Sequence, residues 1–122
     1  MMILEIIIKR RMKYKMLKIE NNVLTIVRKD TAEFDFTING YTFAAGDRLI
    51  FTVAEELDSE VAAITKTVTT FDGNKATFEL TSDDTNLEPG TYYYDIQLNG
   101  ADGSIDTVSG PGKFKVVGGV TW

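Results

Sequence analysis

Cysteine and histidine are absent from the 122 residues, and proline occurs only twice. Without thiols no disulfide can staple the fold, and without thiolate or imidazole the usual zinc sites are excluded. The same absences remove Cys–His and Ser–His–Asp catalysis and any imidazole acid or base. Only Asp, Glu, Lys, Ser, Thr and Tyr remain to do chemistry. Long apolar runs are missing too. The run Met1 to Ile8 has eight positions including Glu5, whereas a membrane-spanning helix needs roughly 20 apolar residues. Lys9, Arg10 and Arg11 follow that run instead of preceding it, the wrong order for a signal peptide. Neither membrane insertion nor a signal peptide is expected.

What the chain does have is sheet-forming material. Threonine, valine and isoleucine make up 35 residues and aromatics 13, and stiff branched and flat side chains suit a pleated, half-buried surface. Phe34, Phe36 and Ile38 alternate with Asp35 and Thr37, so one face is apolar and the other polar. Leu49, Phe51 and Val53 repeat the pattern, as do Ala76, Phe78 and Leu80, then Tyr92, Tyr94, Ile96 and Leu98, and finally Phe114 and Val116. The threonine-rich stretch 61–70 lacks clean alternation because Lys66 falls between Ile64 and Val68, which suits an edge strand or a bulge. Turn signals separate these runs: Asn39-Gly40, Asp72-Gly73-Asn74, Asn99-Gly100, Asp102-Gly103 and Gly110-Pro111-Gly112. Short alternating strands at this spacing predict an all-β chain. The expected fold is an immunoglobulin-like antiparallel β-sandwich, a Greek key of about seven to nine strands, with an extra N-terminal strand or arm. The one helical candidate is a turn within 81–87.

Leu87-Glu88-Pro89-Gly90-Thr91-Tyr92 reads as a structural corner. In Greek-key sandwiches a tyrosine opening a late strand bonds back to the backbone of the preceding corner. Pro89 and Gly90 shape that corner, Leu87 plugs the core beneath it, and Tyr92 opens the strand.

The residues Thr77 to Thr81, Asp84-Thr85, Leu87 to Leu98 and the ending Gly110 to Val116 together resemble the small β-sandwich domain at the N-terminus of phage baseplate upper proteins and related prophage tail proteins. Asn22 to Ile38 and Leu49 to Val53 resemble that family's opening strands, so the resemblance covers roughly residues 22–117. It is most specific from Leu87 to Leu98. The resemblance implies a non-catalytic module of a tail or baseplate, made in the bacterial host cytoplasm and built into the virion. Its expected partners are other tail or baseplate proteins and further copies of itself, with no cofactor. A cell-surface adhesion or carbohydrate-binding module on the same sandwich is the alternative, since fold alone does not fix function.

Charge divides the chain. Residues 1–30 carry a net +5 and residues 31–122 a net −10. Three parts are expected: an apolar and basic extension over 1–15, the sandwich over 16–119, and a tail over 120–122. Met12 and Met16 offer alternative starts. Ile3, Ile6, Ile7 and Ile8 form a candidate assembly strand that would add to a neighbouring sheet, because such a run left unpaired is an aggregation hazard. Lys9 to Lys15, with Tyr14, has the makings of a nucleic-acid contact. Beside a body of net −10 it is assigned instead to acidic protein surface, and no nucleic-acid partner is expected.

Three clusters invite a ligand reading. Glu55-Glu56-Leu57-Asp58-Ser59-Glu60 packs four carboxylates into a loop, where water screens them and no acid is set apart from its neighbours. Asp102, Ser104 and Asp106 place oxygens at alternate positions as a calcium loop does. The mid-loop glycine is missing, and Lys113 stands where the bidentate Glu belongs. Tyr93, Asp95 and Gln97 face outward from the longest alternating row and are the candidate contact for a sugar or a partner. Trp122 could supply a second ring.

Overall fold

The computed structural model describes residues 3–8, 18–20 and 23–119. Among the described residues there are nine strands: β1 (Ile3–Ile8), β2 (Lys18–Glu20), β3 (Val23–Val27), β4 (Ala32–Asn39), β5 (Arg48–Ala54), β6 (Ile64–Val68), β7 (Lys75–Leu80), β8 (Gly90–Asn99) and β9 (Ile105–Val117). No helix occurs among the described residues. The stretch 81–87 makes a single turn. Asp84 Oδ2 accepts from the Thr81 amide at 2.7 Å, and Thr81 Oγ1 accepts from the Asp84 amide at 3.1 Å.

Two sheets form. One has the order β1-β4-β7, the other β2-β3-β9-β8-β5-β6. All neighbours are antiparallel except β3 and β9, which run parallel over Leu24–Val27 and Phe114–Val117. The sheets pack face to face, giving an all-β architecture of sandwich type. Phe34 and Phe78 are register partners on β4 and β7 and stack at 5.3 Å. Phe51 on β5 meets them from the opposite sheet, edge-on to Phe34 at 5.4 Å and tilted against Phe78 at 5.8 Å. All three rings are fully buried, each worth about 1.5–3 kcal/mol of burial.

The alternating rows explain which face each strand buries. Leu49, Phe51 and Val53 are buried, as are Ala76, Phe78 and Leu80, and Tyr92, Tyr94, Ile96 and Leu98. β6 is an edge strand of the larger sheet. Its Lys66 reaches Asp84 at 2.7 Å, so the charge that interrupts the alternation is held by the turn after β7. That partner lowers Asp84: burial would raise the carboxyl, but the bonds from Lys66 and Thr81 together outweigh it.

The sequence reads Ile3, Ile6, Ile7 and Ile8 as a strand that adds to a neighbouring sheet. In the structure β1 pairs with β4 of its own chain, Ile3 opposite Asn39 through Ile8 opposite Phe34. β4 is otherwise the open edge of a two-stranded sheet, and the apolar β1 fills that edge although β2 and β3 intervene in the chain. Lys9 to Lys15 and Trp122 lie outside the described residues.

Candidate functional site

The corner before β8 is built as a tied loop. Tyr92, 6% exposed, donates from its hydroxyl to the Glu88 carbonyl at 2.8 Å. Leu87 is half-buried and packs against the core. Burial and the carboxylates of Glu55 and Glu88 push the Tyr92 hydroxyl's ionisation up. Deeper in, Thr85 is fully buried and donates to the Asp30 carbonyl at 2.6 Å. These groups shape the backbone, and Leu87, Glu88 and Tyr92 line an open pocket of about 400 Å³ with Glu55.

On β8 the side chains opposite the core row, Tyr93, Asp95 and Gln97, are half-buried on the outer face of the six-stranded sheet. Tyr93 sits between Ala54 of β5 and Lys113 of β9, and Asp95 lies beside Thr52. The β8–β9 register slips between Tyr94 and Ile96, so the ladder is irregular at Asp95. Gly110 allows the close approach there: its φ is +90°, and an added Cβ would lie 2.7 Å from the Tyr94 carbonyl oxygen. A side chain at that point meets backbone that cannot swing away. The loop 55–60 stands over this region, exposed along its length. Between loop and sheet is a cleft of about 170 Å³ whose lining includes Thr52, Ser59, Tyr93, Asp95 and Pro111. Gln97 lies outside it. Burial raises the Asp95 carboxyl above its ordinary value.

Asp102, Ser104 and Asp106 line one pocket of about 290 Å³ together with Tyr41 and Asp47. Asp102 Oδ1 accepts from the Ser104 amide at 2.9 Å and from its hydroxyl at 2.6 Å, closing the turn on itself. Those bonds lower the Asp102 carboxyl. Among the described residues no three Asp or Glu side chains are grouped to hold a metal ion.

The neighbouring feature that sequence reasoning missed is Asp47. It is 2% exposed and accepts from the Tyr41 hydroxyl at 2.5 Å, the Ala44 amide at 2.8 Å and the Ala101 amide at 3.0 Å. One carboxylate thus pins the β4–β5 loop to the β8–β9 turn. The Tyr41 bond is the largest cause of a lowered Asp47 carboxyl, and the same bond pushes Tyr41 up to about 12. The only hint in the sequence is an aspartate directly before a strand, after Ala44-Ala45-Gly46.

No protein-family model matches the chain, and no curated protein matches it in sequence. A crystal structure of a beta-glucosidase from Listeria innocua in complex with glucose aligns with a TM-score of 0.39 and 15% identity, over 97% of this chain and 16% of that chain. The chain therefore spans under a fifth of that protein's length, and a likeness at this level carries no statement about activity.

Proposed function

We propose that this chain is a non-catalytic structural module of a phage or prophage tail or baseplate, acting through protein–protein contacts. The observation that carries the reading is the use made of Leu87 to Leu98, the stretch most like the baseplate upper proteins. Leu87, Pro89, Gly90 and Tyr92 form the tied corner, and Tyr92 to Leu98 run through a strand with neighbours on both sides. The finer fold is read as an immunoglobulin-like Greek key, supported by the parallel β3–β9 pairing and by the tyrosine bond back across the corner.

Sheet edges are the assembly surfaces in this reading. β1 and β7 border the smaller sheet, β2 and β6 the larger, and an edge strand offers unpaired backbone groups to a further strand. Tail or baseplate proteins and further copies of this chain are the partners, and the virion is the location.

Particles released from the bacterial host after prophage induction provide the test. Separated on a density gradient and probed with an antibody to this chain, tail-containing fractions should carry it in fixed ratio to other tail proteins. A chain found only in the soluble fraction, with tails assembled normally, overturns the proposal.

A further inference from the structure

Asp95 occupies an unusual place for an outward-facing strand residue. It is half-buried, burial raises its carboxyl, and it makes no hydrogen bond or ion pair with the described residues. A carboxylate taken partly out of water without a donor is destabilising. The ladder slips at this residue, and such irregularities re-aim side chains beside binding sites. Next to it the Tyr93 ring is half-exposed, with a flat apolar face and a polar edge. Thr52 and Ser59 add hydroxyls to the lining, and Pro111 adds apolar surface.

The make-up of this cleft narrows the ligand. Among the described residues no lysine or arginine lines it, whereas Glu56 and Asp58 of the loop line it along with Asp95, which disfavours phosphate and other anions. The described carboxylates are not grouped for a metal ion. Its volume of about 170 Å³ is below the ~300–1,000 Å³ of a drug-sized pocket, and so suits a single small ring. Such a ligand must offer an apolar face and O–H donors together.

We propose that the cleft binds one neutral sugar ring, a hexose or N-acetylhexosamine unit. Its C–H face lies against Tyr93, and adjacent hydroxyls donate to the Asp95 carboxylate. Thr52 and Ser59 exchange hydrogen bonds with the remaining hydroxyls. The inference does not rest on the tail or baseplate reading, because a module can be built into a particle and still hold a sugar.

Saturation-transfer NMR on the full chain tests it, with glucose, galactose, mannose and N-acetylglucosamine as neutral probes and lysine amide and spermidine as cationic ones. At least one neutral sugar should receive saturation, and Tyr93→Ala and Asp95→Asn should each weaken its binding about tenfold or more. Amide shifts mapped on the unaltered chain should cluster at Thr52, Ser59, Tyr93 and Asp95, which keeps the test independent of whether a variant folds. Silence from every neutral sugar overturns the proposal. So does binding by the amines alone, shifts elsewhere on the surface, or full affinity in a folded Tyr93→Ala chain.

Discussion

The hydroxyl of Tyr92 donates a 2.8 Å hydrogen bond to the backbone carbonyl of Glu88, across the turn made by Pro89 and Gly90. The ring is almost wholly buried while Glu88 is exposed, so the bond ties a surface corner to the core strand that follows it. Tyr92→Phe keeps the ring and removes the tie. Stability should fall by about 1 kcal/mol, seen as a lower urea midpoint at unchanged slope. A midpoint equal to the wild type would show that water replaces the tyrosine at the Glu88 carbonyl without loss.

Asp47 is where acid should act. Its carboxyl is lowered from an ordinary 3.8, chiefly by the Tyr41 hydroxyl. The unfolded chain therefore binds more protons between the folded value and 3.8, and stability rises with pH through that window. The contribution is fully present above about 4 and is lost as pH falls through the folded value. Tyr41 gives the opposite limb: raised from 10.0 to about 12, its contribution is present below 10 and lost as pH climbs toward 12. Asp47→Asn should cost about 1.5–3 kcal/mol at neutral pH, because an NH₂ then faces groups that themselves donate. Denaturant titrations from neutral pH down to the acid limb should show a flatter slope in this variant. Asp84 and Asp102 are lowered as well, so the slope should shrink and not vanish.

Why Asp47 was illegible in the sequence while Phe51 was plain is a matter of range. Period-two alternation is a local signal, and it marks Phe34, Phe51, Phe78, Ile96 and Phe114 as inward residues, all of them fully buried. Asp47 is buried by two segments, one of them 54 residues away, and no local pattern announces that. The same holds for Glu33 and Asp35. Alternation puts both on the outer side of β4, yet they are 4% and 5% exposed, with Asp35 accepting from Thr77 at 2.6 Å. The aromatic group of Tyr41, Phe43 and Phe71, with Phe43 and Phe71 stacked at 4.1 Å, sits in loops where no period exists to find it. Of the outward trio on β8, spacing identified Tyr93, Asp95 and Gln97 together. Only the loop 55–60 decides that the first two line a cleft and the third does not.

Phe78 should be a costly core position to truncate. It stacks on Phe34 within its own sheet and meets Phe51 from the other, so its ring is shared by both layers. Phe78→Ala should lose about 3–5 kcal/mol through lost burial and the cavity left behind. Set against a total stability of about 5–15 kcal/mol for a domain, that brings the chain close to unfolding at ambient temperature. Calorimetry on Phe78→Ala and Phe78→Leu should rank leucine between wild type and alanine. Equal melting of all three would mean that the sheets slide together to fill the gap.

Deleting residues 1–8 asks what β1 does for the molecule. The strand covers β4 along six register pairs, from Ile3 opposite Asn39 to Ile8 opposite Phe34. Within β4, Phe34, Phe36 and Ile38 are fully buried, while β7 pairs with the other side of the strand. Removing β1 leaves the β4 edge with free amide and carbonyl groups beside three large apolar residues. Such an edge accepts another strand. The shortened chain should therefore melt lower than the full chain, and its mass in light scattering should rise with concentration as β4 edges pair between copies. Adding a synthetic peptide of residues 1–8 should reverse both effects by occupying the edge, as a strand supplied in trans does in β-augmentation. Unchanged melting and an unchanged mass after the deletion would show that β4 is stable at a bare edge and that β1 contributes nothing to the sheet.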